Sequence, residues 1–261
     1  LLAVAFLFPI FLVLMNSFKN KLYISDAPFA LPNSDTFSGM YNYVNGIQKT
    51  GLLAAAGRSA FITICSVIVI VLLTSMAAWW ITRVTCKLST VLYYLFVFAM
   101  IVPFQMVMFT LSKVTDFLHL GNMFGIIPVY LGFGAGLSLF MFCGFIKAIP
   151  ISLEEAAMID GCTPVQTYFK VIVPMLRPTM ITVAILNAMW IWNDYLLPTL
   201  VLDSEKPTIP MAVQYLRGGY GSIDMGAMMA MLVLAILPII VFYLTCQKYI
   251  IKGVAAGAVK G

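Results

Sequence analysis

From Ser59 to Thr82 the chain runs for about 24 residues without one charged side chain, and it stops only at Arg83. A stretch of that length and character crosses about 30 Å of hydrocarbon when it is helical. Comparable apolar blocks cover residues 1–15, 88–112, 125–147, 178–201 and 225–247. Apolar residues make up 62% of the chain and charged residues 10%, outside the range of soluble domains. A membrane barrel would show segments of about ten residues with alternating polarity, which these blocks lack. The expected fold class is therefore an all-α polytopic membrane protein with about six transmembrane helices, forming one domain over residues 1–261.

The segments between the blocks refine this outline. The first block starts without Met or a charged flank, so residues are expected to precede it. No small-x-small cleavage site follows it, only "NSFKNK", and it reads as a retained helix rather than a signal peptide. Residues 16–58 are polar, carry Pro28, Pro32, Gly39 and Gly46, and read as an extramembrane loop. Pro103 and Gln105 predict a kink in the third block and an amide within the membrane. Gly132, Gly134 and Gly136 in "GFGAG" predict close helix approach or a local break in the fourth. Residues 202–224 form a second polar loop containing "RGGYGS".

Several functional classes fall away at this point. The net charge of +5 comes from scattered Lys and Arg that flank spans, so no nucleic-acid surface is expected. Cys65, Cys143 and Cys246 lie inside apolar blocks, while Cys86 and Cys162 lie in short connections without metal-like spacing. The five read as reduced packing residues. His119 is the sole histidine, which argues against a clustered metal site or a histidine-based catalytic dyad, and no metal or catalytic residue is expected. Repeated broken helices with ionisable groups near the midplane, the marks of a secondary transporter, are not evident. No GxxxxGK[ST] occurs, so any ATP hydrolysis must come from a separate chain.

The fourth and fifth blocks are joined by residues 150–177, which begin "PISLEEAAMIDGCTPVQ". Pro150 ends what precedes it, and Ser152 with Glu155 matches the S-x-x-E capping box, predicting a helix from Leu153. Gly161 suits the left-handed residue that closes a helix. Thr163, Pro164 and Gln166 supply the N-cap, first position and reciprocal partner of a second helix, and Pro174 is expected to end it. A helix of about eight residues is unstable alone in water and must be held by packing. Ala156 and Ala157 would let another surface approach, while Glu154 and Asp160 would keep it soluble. Its small apolar face argues against a helix merely resting on headgroups.

This connection resembles the EAA loop of permease subunits of bacterial ABC importers, whose pattern is E-A-A, three residues, G, nine residues, I-x-L-P. Here it reads "EAAMIDG" at Glu155–Gly161 and "VIVP" at Val171–Pro174, with Val171 and Val173 as conservative departures. "SFK" after the first block, "WNDYLLP" ending at Pro198 and the tail "KYIIKGVAAGAVKG" are similar to the smaller permease of maltose-type importers in the carbohydrate-uptake branch. The resemblance implies a multi-pass protein of the bacterial inner membrane that is not itself an enzyme and carries no cofactor. ATP and magnesium would be bound by two partner ATP-binding subunits. A second permease subunit would complete a heterodimer, and an extracellular or periplasmic solute-binding protein would deliver a sugar or oligosaccharide. Eight of the fifteen basic residues lie on the side of the EAA loop, too even a split to orient the chain. The resemblance makes that loop cytoplasmic, with Glu154, Glu155, Ala156, Ala157, Asp160 and Gly161 forming the ATPase-coupling helix.

For the solute path, flat rings suit the C–H faces of a sugar and amides or carboxylates suit its hydroxyls. The candidates are Gln105, Trp190, Asn193, Asp194 and Tyr195. Asp194 is the sole acid within an apolar block, about 24 Å beyond Pro178, a depth that equally fits an interfacial anchor or a helix-stabilising role. By resemblance Arg217, Gly218, Gly219 and Tyr220 would reach toward the binding protein, although a plain outer turn suits them as well. A permease for a glycerol phosphodiester or similar polar solute is the alternative within the family, and more basic residues inside the spans would favour it.

Overall fold

The computed structural model describes residues 2–216 and 224–258. In chain order the helices are α1 (Leu2–Asn16), α2 (Lys21–Asp26), α3 (Tyr41–Thr50), α4 (Leu52–Arg83), α5 (Lys87–Ile101), α6 (Phe104–Phe117), α7 (Ile126–Ile146), α8 (Ser152–Ile159) and α9 (Pro164–Thr167). A π-helical turn (Tyr168–Ile172) leads into α10 (Val173–Asn193), followed by α11 (Leu196–Val201), α12 (Ile209–Tyr215) and α13 (Met225–Ala258). The chain is an all-α polytopic membrane protein.

Among the described residues four helices are long and apolar enough to cross a membrane: Leu52–Arg83, Ile126–Ile146, Pro164–Asn193 and Met225–Tyr249. The pair α5 and α6 makes a fifth if it is counted as one span, against the six expected. The apolar α1 has 15 residues, or about 22 Å at 1.5 Å per residue, short of the hydrocarbon thickness. What the sequence suggested as a kink at Pro103 is a bend of 106°. Val102, which precedes the proline, is extended at φ −69° and ψ 119°, so α5 ends there and α6 starts afresh.

The chain divides into two compact units. The first comprises Leu1–Ala60 and Asn193–Leu244. Here the segment expected as a loop is ordered around "SFK". The Ser17 and Tyr43 hydroxyls share a hydrogen bond of 2.7 Å, Phe18 packs between Phe37 and Tyr43, and the buried Lys19 Nζ donates to the Ala27 carbonyl at 2.9 Å. Asn42 donates to the Ser17 and Lys19 carbonyls at 2.8 and 2.7 Å, tying α3 to the same turn. Gly51, at φ +56°, closes α3, and α4 begins at Leu52 rather than near Ser59. Arg58 does not interrupt it, because its Nε donates to the Pro207 carbonyl at 2.8 Å.

The second unit comprises Phe61–Trp192 and Thr245–Gly261. Its core joins α4, α7, the π-helical turn and α10 through Val71, Ala78, Leu139, Phe142, Ile146, Tyr168, Ile172, Leu176 and Val183. The small residues of α7 bring backbones together and do not break the helix. A Cβ on Gly134 would lie 2.7 Å from Asn187 Oδ1 and 2.8 Å from Ile70 Cδ1, and one on Gly136 would lie 2.8 Å from the Phe96 carbonyl oxygen of α5. Asn187, an amide the sequence reading passed over, is buried on α10 and donates to Ser138 Oγ at 3.1 Å and to the Val183 carbonyl at 2.9 Å. Such polar links between small-residue faces hold helices together where lipid offers no hydrophobic gain.

Candidate coupling site

The connection between α7 and α10 contains the short helix the sequence called for, started differently. The Ser152–Glu155 capping box does not form. Ser152 is the first residue of α8, and the N–H groups of Leu153 and Glu154 donate to the Pro150 and Ile151 carbonyls at 3.3 and 2.9 Å. The turn after α7 thus supplies acceptors from its own backbone, and the hydroxyl is not needed. The other end follows the sequence closely. Gly161 has φ +84°, its N–H reaches the Met158 carbonyl at 3.0 Å, and the Cys162 N–H reaches the Ala157 carbonyl at 2.9 Å. This pair of bonds is a Schellman motif, which fixes the exit direction of the chain. Thr163 and Gln166 then cap α9 reciprocally, at 2.8 and 3.3 Å.

Pro174 does not end that second helix, contrary to expectation. The chain continues helically from Pro164 to Asn193 through both Pro174 and Pro178. In the wide turn the Val173 N–H reaches back five residues to the Tyr168 carbonyl. The extra residue makes room for the Pro174 ring, which in an α-turn would clash with the carbonyl four residues earlier.

The two adjacent glutamates of "EEAA" have opposite surroundings. Glu155 is exposed, as are Ala156, Asp160 and Gly161, and Ile159 beside them keeps 86% of its surface. Glu154 keeps 4% and cannot be the solubilising group the sequence suggested. Its Oε2 accepts from Trp79 Nε1 at 2.9 Å, and its Oε1 accepts from Arg83 Nε at 2.8 Å and Nη2 at 2.7 Å. Arg83 Nη2 also donates to the Ile149 carbonyl at 2.9 Å. Ala157 is buried beside Glu154, so α8 turns Glu154 and Ala157 inward and leaves the rest of the motif open. The outward apolar surface, with Ile151, Met158, Ile159 and Val165, is larger than the sequence reading allowed.

The solute-path candidates are distributed over both units. In the second, Gln105 is exposed on the first turn of α6, and Trp190 meets the buried Tyr130 edge to face, with ring centres 5.5 Å apart. In the first, Asp194 Oδ1 accepts the N–H groups of Leu196 and Leu197 at 3.0 and 3.4 Å. It starts α11 after the break that ends α10 at Asn193, in keeping with a helix-stabilising role. Asn193 and Tyr195 flank it and are exposed. Arg217, Gly218, Gly219 and Tyr220 lie outside the described residues.

Asp224, which the sequence reading did not single out, anchors the start of α13. Its Oδ2 accepts from Lys49 Nζ at 2.6 Å and Asn45 Nδ2 at 3.0 Å, and its Oδ1 accepts from the Ala227 N–H at 3.2 Å. Burial alone would raise the carboxyl pKa, but the bonds from Lys49, the Ala227 amide and Asn45 outweigh it and hold the pKa below the usual aspartate value. A depressed pKa stabilises the fold above the unfolded-state value and loses that contribution as pH falls through the folded one. The Asp224→Asn variant should therefore lower the thermal midpoint slightly at pH 7, with a cost under about 1 kcal/mol because Lys49 is half exposed, and the difference should shrink as pH falls below the ordinary aspartate value of about 4 and through the lower folded one. Melting curves of both proteins from about pH 2 to pH 7, which bracket that value, check this.

Comparison with known proteins adds an independent line. Residues 70–256 match the family described as binding-protein-dependent transport system inner membrane component. The chain is 38% identical over 260 residues to the probable starch degradation products transport system permease protein AmyC of Thermoanaerobacterium thermosulfurigenes, covering 99% of this chain and 93% of that protein. It is also 38% identical over 259 residues to the multiple sugar-binding transport system permease protein MsmG of Streptococcus mutans, covering 97% and 92%. A chain in the crystal structure of a bacterial ABC transporter involved in the import of the acidic polysaccharide alginate has the same fold, with a TM-score of 0.78 at 23% identity over 95% of this chain and 92% of that one.

Proposed function

This chain belongs to the binding-protein-dependent transport system inner membrane components, and from that membership we propose that it is one permease subunit of an ATP-driven importer for a sugar or oligosaccharide. It sits in the bacterial inner membrane as half of a heterodimer, with a second permease, two ATP-binding subunits and a solute-binding protein as partners. Residues 150–177 face the cytoplasm, and α8 docks on an ATP-binding subunit through Glu155, Ala156, Asp160, Gly161 and Ile159. ATP and its magnesium belong to that partner. Gln105, Trp190, Asn193, Asp194 and Tyr195 are the candidate path residues, and Arg217, Gly218, Gly219 and Tyr220 the candidate contact with the binding protein.

The observation that carries the docking assignment is the combination of a fixed base and an open face on α8. A rigid helix seated on a moving partner passes on a displacement that a loose loop would absorb. The sugar assignment is supported by the relatives named for starch degradation products and multiple sugars. The docking is tested with Ile159→Cys and a short thiol cross-linker in the assembled complex: a cross-link to the ATP-binding subunit is expected, and its absence in an assembled, cysteine-reactive complex refutes the assignment.

Orientation has a test that needs no variant. Cys86 is exposed in the turn between α4 and α5, and its sulfur accepts the Ser89 N–H at 3.4 Å, a bond that together with the nearby Ser89 side chain lowers the thiol pKa and enriches the reactive thiolate. A membrane-impermeant maleimide should label Cys86 at least about tenfold faster in inside-out vesicles than in intact cells stripped of their wall, on the thiolate-controlled rates expected of such a site. Equal labelling from outside places this turn, and the EAA loop with it, on the wrong side.

A further inference from the structure

Glu154, Trp79 and Arg83 belong to a longer pattern. Ser75, Trp79 and Arg83 are each four residues apart on α4, so they share one face over about 12 Å. Every member of this stripe holds the connection that carries α8. Ser75 shares a buried hydrogen bond of 2.6 Å with the Tyr168 hydroxyl, in the wide turn after α9. The Trp79 ring packs on the Tyr168 ring at 5.6 Å, while its N–H binds Glu154. Arg83 holds Glu154 on α8 and the Ile149 carbonyl ahead of it. The connection is thus gripped before, on and after α8.

We infer that α4 is the membrane helix to which α8 is rigidly fixed, and that the Ser75–Trp79–Arg83 face is a latch carrying the displacement of α8 into the membrane. The inference rests on the docking role proposed for α8. Helix packing alone does not call for this arrangement, since apolar side chains of similar volume commonly stabilise a buried site as well as an ion pair does. What a forked guanidinium, an indole N–H and a hydroxyl pair provide in addition is a defined register between two helices. Glu154 and Arg83 are therefore positioning residues, while the open Glu155 faces the partner.

The latch is tested in the complete transporter in nanodiscs, with the free cysteines replaced and spin labels at Ser152→Cys on α8 and Val84→Cys just beyond α4. Distances are measured without nucleotide and after trapping with MgATP and vanadate. With the latch intact the distance should change by less than about 2 Å, whereas in Arg83→Met and in Glu154→Gln it should change or broaden by about 5 Å, one helical turn. The swapped pair R83E/E154R should narrow the change again. Arg83→Lys, which keeps the charge and loses the fork, should lie between and serves if Arg83→Met does not accumulate. A change of about 5 Å or more with the latch intact, or wild-type rigidity in both single variants, overturns the inference. Loss of the ATP-binding subunits from both variants would make Glu154 a docking group and overturn it too. Failure of the docking role is seen separately, as an α8 label that does not track a label on the ATP-binding subunit while the distance between α8 and α4 stays fixed.

Discussion

Replacing Gly161 with valine is expected to reduce solute uptake by at least about tenfold while leaving the protein inserted in the membrane. A Cβ at this position meets nothing within 4 Å, so the obstacle is the backbone. At φ +84° a side chain is strained wherever it points, and holding a residue there costs on the order of 1–3 kcal/mol, most for β-branched types. Relief comes only by unwinding the Schellman turn, which frees the carbonyls of Ala157 and Met158 and tilts the exposed face of α8 proposed for docking. The substitutions should rank Asn, Ala, Val in increasing severity, because asparagine tolerates left-handed geometry best. Uptake per assembled complex, measured beside ATP hydrolysis, reads the effect. Gly144→Ala, on ordinary helical backbone with equally open space, is the control expected to behave as the parent. Equal activity of Gly161→Val and the parent would mean that the turn does not set the orientation of α8.

The second large effect concerns the three glycines of α7. Alanine at Gly136 should impair accumulation of the folded protein most, alanine at Gly134 less, and alanine at Gly132 scarcely at all. At Gly136 the new methyl meets the α5 backbone, the Phe96 carbonyl oxygen at 2.8 Å, and backbone cannot yield without moving a helix. At Gly134 the obstacles are the ends of the Asn187 and Ile70 side chains. Ile70 can swing aside and the Asn187 amide can shift, at the cost of a weaker bond to Ser138. Overpacking against backbone costs about 1–3 kcal/mol or more, and weakening one hydrogen bond about 0.5–1.5 kcal/mol. Gly132 faces open space. Thermal unfolding in detergent, with membrane yield, gives the ranking, and any other order would show that α5 and α7 do not approach as described.

The parts of this protein legible in its sequence were those specified locally. The Gly161 turn and the Thr163–Gln166 cap depend on residues within a few positions of each other, and both are present. Four of the six expected spans were legible from apolar length alone, whereas the third block is broken by 106° at Pro103. What failed depended on distant partners. Glu154 looks like a solvated charge until Arg83 and Trp79, 71 and 75 positions away, are brought against it. Ser152 looked like a cap because nothing in its own neighbourhood disclosed that the preceding turn would offer carbonyls. The block expected from Ser59 starts at Leu52, and the Pro207 carbonyl that takes up Arg58 on the added turns lies 149 positions off. Pro174 read as a stop because proline usually is one, and a single wide turn is enough to carry a helix past it.

That wide turn also absorbs a count. Each residue of an α-helix advances the chain by about 100°, but the π-turn at Tyr168–Ile172 takes one residue more into a single turn, so that advance is not passed on to α10. Trimming one residue there would close an ordinary α-turn and leave Asn187 facing Ser138 and Trp190 facing Tyr130. What it would remove is the room the turn gives the Pro174 ring. The interval between Gly161 and the "VIVP" segment thus holds one residue of slack, used to pass a proline without changing which way side chains point deep in the membrane.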